Sequence, residues 1–141
     1  MISFVATTTP VSVNAKSKPR YKEALVSALK ATHGDVAPLT GELYGFAYYF
    51  HKTRTQLDAD NLSKPIWDAL NGYLYSDDKS IRIRYSGIIA VTTGFTVLDI
   101  TRVPHDTLGS LLTALAHNDH VLYVEVGQFR PNLFTFNGES L

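Results

Sequence analysis

The chain predicts an α+β fold: a single compact domain with a mixed β-sheet and two to three helices. Three observations carry this. Apolar residues alternate in some stretches and recur every three to four positions in others, the periods of strand and helix. The stretches follow one another as βαβαββαβ, an order that builds a mixed sheet with helices packed on it. The 141 residues contain no repeat, low-complexity block or linker, and that length suffices to bury one core.

Ile2–Thr8 alternates and is rich in β-formers, so it reads as the first strand. Pro10 to Pro19 is a loop bearing lysines. Arg20–Ala31 carries Tyr21, Ala24, Leu25, Ala28 and Leu29 on one helical stripe and stops at His33–Gly34–Asp35. Gly41–His51 is aromatic and strand-like. A second helix begins near Asn61, with Leu62, Ile66, Ala69, Leu70 and Tyr73 on its inner face and Asn61, Lys64 and Asp68 on another. Its start is open: Pro65 disturbs a helix beginning at Asn61, whereas a cap at Ser63 places the proline in the first turn. Ile81–Val91 and Phe95–Val103 read as strands joined by a hairpin at Thr92–Thr93–Gly94. Pro104–Ala116 forms a third helix on a stripe of Leu108, Leu111, Leu112 and Leu115, and Val121–Val126 is the last strand. Residues 1–128 make up the domain, and 129–141 a loose tail.

Composition narrows the function classes. With 45% hydrophobic and 18% charged residues the chain is an ordinary globular one. No apolar run approaches the ~20 residues of a membrane span, and the start has no cationic segment ahead of a long apolar stretch, so a cytoplasmic protein without a membrane partner is expected. The absence of cysteine excludes disulfides and thiolate metal sites. No glycine-rich phosphate loop, nucleophile elbow or cysteine–histidine pair occurs. Net charge is zero, yet residues 1–56 carry seven basic and three acidic groups, while residues 85–141 carry two basic and five acidic. A basic front half suits an anionic partner on one side.

The segment 57–78, LDADNLSKPIWDALNGYLYSDD, holds most of the chemistry. Asp58 and Asp60 project to the same side if the segment is extended there. Lys64 follows, and Asp77–Asp78 close the segment after a turn at Asn71–Gly72. Asp78 joins the first pair only if the chain reverses at that turn and returns along the helix. Carboxylates gathered in this way bind a hard divalent cation, and a lysine beside them offsets phosphate charge. The competing reading makes Asp58 and Asp60 cap and turn residues and Asp77–Asp78 a solvated turn.

DADNLSKPIWDALNG followed by YSDD resembles the signature of RusA-like Holliday junction resolvases: an Asp-x-Asp-Asn pair, a lysine, an Asp-Ala-Leu and a paired-aspartate turn. The resemblance covers residues 57–84, extends loosely to the N-terminal strand, basic loop and first helix, and fades after about residue 95, leaving 95–128 divergent. It implies a RusA-like fold and a homodimer that hydrolyses phosphodiester bonds at four-way DNA junctions, in recombination and repair, with Mg²⁺ or Mn²⁺. Asp58, Asp60 and Asp78 would be the metal ligands and Lys64 would lie beside the scissile phosphate. Asn61, Asp68 and Asp77 would support them. The alternative is a catalytically silent relative that binds nucleic acid or protein.

Several residues carry two readings. Asp68 lies four residues after Lys64, the spacing of a helix-surface ion pair. Lys16, Lys18, Arg20 and Lys22 either track DNA phosphates or form a solvated lead into a helix. Arg82 and Arg84 share one strand face, which suits an exposed sheet surface better than phosphate contact. Tyr44, Phe46, Tyr48 and Phe50 alternate, and core packing is a commoner use of such a stripe than base stacking. Trp67 is a core or dimer anchor.

Overall fold

The computed structural model describes residues 1–91 and 97–133. Four strands and three helices appear: β1 (Ile2–Ala6), α1 (Lys18–His33), β2 (Leu43–His51), α2 (Ala59–Leu70), β3 (Ile81–Ala90), α3 (His105–His117) and β4 (His120–Gln128). Short 3-10 turns at Asp78–Ser80 and Pro131–Leu133 flank β3 and follow β4. The sheet order is β1-β4-β2-β3. The β1–β4 and β4–β2 pairs are antiparallel and β2–β3 is parallel, so the sheet is mixed, as expected. Among the described residues no helix is long and apolar enough to cross a membrane.

The helical stripes explain the layering. Tyr21, Leu25 and Leu29 of α1 and Leu62, Ile66, Trp67 and Leu70 of α2 are buried against Phe4, Leu43, Ala47, Leu122 and Val124 on one sheet face. Trp67 is completely buried, so it is a core residue and not a dimer anchor. It lies over Gly45, where an added Cβ would stand 2.7 Å from the indole. The indole Nε1 donates to Ser63 Oγ at 2.8 Å, which gives Ser63 a packing role in place of a cap. On the opposite sheet face, Tyr44 and Tyr123 donate to the buried Glu125 at 2.7 and 2.5 Å, satisfying a carboxylate that burial would otherwise penalise. Burial and the Glu125 carboxylate both push these phenols well above their ordinary range. The alternating aromatics of β2 line that face: Tyr44 and Phe50 are buried, Phe46 and Tyr48 partly so.

Four expectations change. Asp58, not Asn61 or Ser63, caps α2, and Pro65 lies inside the helix, where it removes one N–H that Asn61's carbonyl would accept. Tyr73 falls beyond the end of α2 and is 37% exposed. The buried side of α3 is Thr107, Leu111 and Ala114, while Leu112 is 46% exposed. The helix is rotated to this side because Thr107 Oγ1 meets Ser3 Oγ of β1 at 2.5 Å, a buried hydroxyl pair that the leucine pattern cannot signal. Val97–Val103 carry no strand, and the expected hairpin at Thr92–Gly94 lies outside the described residues, as does the tail beyond Leu133. The first part of that tail is tied down: Phe129 N–H donates to Glu42 O at 2.8 Å, and Tyr85 Oη to Leu133 O at 3.0 Å.

Gly45→Ala tests how α2 is seated. The added methyl must displace an indole that has no free space, so chemical denaturation is expected to show a loss of about 1–3 kcal/mol. An unchanged unfolding midpoint would contradict this packing.

Candidate active site

The acidic motif occupies the β2–α2–β3 crossover. Asp58 is the N-cap of α2: its backbone is extended and its Oδ1 accepts from Asn61 N–H at 2.8 Å. Asp60 lies in the first helical turn, exposed, where the helix dipole favours a carboxylate. The two are therefore joined by a cap and a helical turn instead of an extended strand. Lys64 is one turn further along, its Nζ 3.1 Å from Asp68 Oδ2. That is the expected i,i+4 pair, with side chains 59% and 48% exposed, weak in stability but effective in restricting where the ammonium stands.

The chain reverses where the sequence predicts. Gly72 adopts φ 81°, a left-handed conformation suited to glycine, and its N–H donates to Tyr75 O at 2.8 Å. The return leg is anchored by the buried Tyr75, whose hydroxyl donates to Trp67 O at 2.6 Å. Asp77 then caps the 3-10 turn, its Oδ1 accepting from Lys79 N–H at 3.0 Å. Asp78 follows. Arg84 Nη2 donates both to its main-chain oxygen at 2.8 Å and to its Oδ2 at 2.9 Å. Partial burial raises the Asp78 pKa, but hydrogen bonding and charge from Arg84 outweigh it, with help from the Asp77 and Asn71 side chains, and the carboxyl ends below its ordinary 3.8. Arg84 is thus a residue of this site and not merely part of an exposed sheet face. Arg82, by contrast, stands 3.7 Å from Glu42.

The return leg is short. Asp78 comes three residues after Tyr75, which bridges back to Asn71, the C-cap of α2, whereas Asp58 and Asp60 stand at the helix's N-terminus. Eleven residues separate Asp60 from Asn71, or about 16 Å along the axis at 1.5 Å per residue. Among the described residues, accordingly, no three His, Cys, Asp or Glu side chains lie close enough to hold one metal ion. The donors suit a hard divalent cation in kind: carboxylates at both ends of α2 and, beside Asp78, the buried Asn71 Oδ1, which has no hydrogen-bond partner. One chain does not draw them into a single coordination sphere.

The basic residues ahead of this site divide. Lys16 lies in the loop before α1. Lys18, Arg20 and Lys22 are on α1, with Lys18 and Lys22 turned towards α2 across a groove and Arg20 about 200° away from each, on the other side of the helix. Two histidines stay apart from the motif: His51 Nδ1 meets Thr53 O, and His120 Nδ1 meets the Tyr49 hydroxyl, both at 2.7 Å.

Sequence comparison bears directly on this motif. The family model described as endodeoxyribonuclease RusA matches residues 4–94, the span from β1 through β3 that holds every motif residue. No curated protein matches the chain.

The Arg84 clamp predicts a titration. A carboxyl held below its unfolded value contributes stability above that value and loses it as pH falls through the lower, folded one. Arg84→Gln removes the main lowering influence, so NMR titration of the Asp78 carboxyl is expected to show its pKa rising. No movement would mean that Arg84 does not hold Asp78.

Proposed function

The chain belongs to the RusA family of endodeoxyribonucleases, and from that premise we propose that it is a metal-dependent nuclease selective for four-way DNA junctions and that it works as a homodimer. The observation that carries the reading is the position of the motif. Asp58, Asp60, Lys64 and Asp68 are all exposed at the start of α2 and along it, and Asp78 keeps a fifth of its side chain open to solvent beyond the far end, all inside the matched span.

The separation of the carboxylates supports the homodimer. One chain presents Asp58 and Asp60 at one end of α2 and Asp78 near the other. A two-fold dimer that sets two α2 helices side by side and antiparallel lays Asp78 of each copy near Asp58 and Asp60 of the other, making two equivalent sites. Two symmetric sites also suit a substrate that needs two symmetric incisions.

Asp58, Asp60 and Asp78 would hold the cation, Mg²⁺ or Mn²⁺. When bound, it polarises the phosphate and activates a water. The chain's own groups do the rest. Lys64 brings positive charge to the phosphate as negative charge gathers there, an effect worth about 2.7–4 kcal/mol for one well-placed donor. Asp68 steers that ammonium until a phosphate replaces it. Asn61 fixes Asp58 through its N–H, and Asp77 fixes the turn that presents Asp78. Positive charge for the DNA arms comes from α1.

A synthetic four-way junction, a linear duplex and single strands, each incubated with Mg²⁺ and with chelator, test this. Paired nicks confined to the junction and abolished by chelator are expected. Asp60→Asn is expected to lose cutting while still binding the junction. Junction binding without cutting by the unaltered protein would favour the silent alternative, and cutting of linear or single-stranded DNA would overturn the junction selectivity.

A further inference from the structure

A groove of about 350 Å³ runs between the start of α1 and the outer face of α2, lined by Lys18, Tyr21, Lys22, Pro65, Asp68 and Ala69 among others. Its charges are unevenly met. Asp68 is already paired with Lys64 at 3.1 Å, while Lys18 and Lys22 have no ion-pair partner among the described residues. Beyond the groove the strip continues over an exposed aromatic ring. Lys22 Nζ stands 5.6 Å from the Tyr73 centroid and Lys30 Nζ 5.7 Å from the same centroid. Lys30's one ion pair is to Asp35 at 3.4 Å, and that carboxylate is 91% exposed, so water and salt screen it heavily.

Three ammonium groups thus share one strip, two of them over one ring. Such an arrangement is self-repulsive and is relieved by a partner with several negative charges in a row. Lysines are point charges that suit phosphate oxygens, and the groove offers none of the fork-shaped or amide donors that read base edges. A second copy of the same strip would bring like charges together, which argues against this face as the subunit interface.

We propose that Lys18, Lys22 and Lys30, with Tyr73 beneath, form the track for one arm of the DNA backbone. The proposal rests on the nuclease reading and adds to it which basic residues meet DNA. Asp68, at the edge of the groove, lies eight residues from Asp60, about 12 Å along α2. At ~3.4 Å per nucleotide of one strand, that is three to four steps from Asp60. Arg20 points away from the groove and Lys16 precedes it, so neither belongs to the track.

The test is junction binding by the full-length protein in chelator, across a salt series, so that cutting plays no part. Lys18→Ala, Lys22→Ala and Lys30→Ala are each expected to lower the slope of log K against log salt by ~1, while Lys16→Ala and Arg20→Ala leave it unchanged. Equal effects at all five positions, or effects only at Lys16 and Arg20, would overturn the track. Molecular mass in solution is measured on the same variants. Loss of the dimer with an unchanged slope would assign the strip to a protein contact and overturn it too. Absence of junction binding by the unaltered protein would instead remove the nuclease reading on which the track rests.

Discussion

Gly45 lets Trp67 lie directly on the sheet, and the placement of α2 depends on that contact. The indole fills the space a side chain on β2 would occupy, with an added Cβ only 2.7 Å away. The same tryptophan is pinned twice more: its ring nitrogen bonds Ser63 one turn earlier, and its carbonyl accepts from the Tyr75 hydroxyl on the return leg. Helix, sheet and return leg are thereby locked to one residue. Every acidic group of the candidate site, and Lys64 with them, is carried on α2, at its cap or on the turn that Tyr75 anchors, and Arg84 reaches that turn from the start of β3.

From this seat the chemistry is distributed. α2 connects two parallel neighbouring strands, so it must run back along the sheet, and its ends lie at opposite ends of the strands. Asp58 and Asp60 lie where β2 ends and Asp78 where β3 begins. Among the described residues the three carboxylates of one chain do not gather round a single ion. In the proposed dimer, a second chain would complete each set without moving the core. Within one chain Asp78 is held by Arg84, which prevents an unpaired, partly buried charge.

Much of this was legible in the sequence, and the parts that were not share a cause. The stripes of α1 and α2, the reversal at Asn71–Gly72 and the Lys64–Asp68 pair all follow from local spacing, and local spacing is what a sequence records. The acidic motif was legible for the same reason, since its residues fall within one short window. Asp58 as the cap was masked by Pro65, which argued for a later start but is accommodated inside the helix. Spacing alone makes Arg84 a surface residue, because its partner is reached only through the 3-10 turn, which folds a six-residue separation into a 2.9 Å contact. The rotation of α3 depends on Ser3, about a hundred positions away, and no periodicity reports that. The distance between Asp78 and the first pair was the most consequential miss: a turn says that the chain comes back, not how far.

The central claim is that each metal site is shared between two chains, and mixing two crippled variants addresses it. Asp60→Asn and Asp78→Asn homodimers should each fail to cut a four-way junction. When the two proteins are mixed and allowed to exchange subunits, each heterodimer regains one intact set of carboxylates, Asp60 from one chain and Asp78 from the other. The account predicts that nicking returns on mixing. If subunits exchange and the mixture stays inactive, the carboxylates act within one chain and the shared site is wrong.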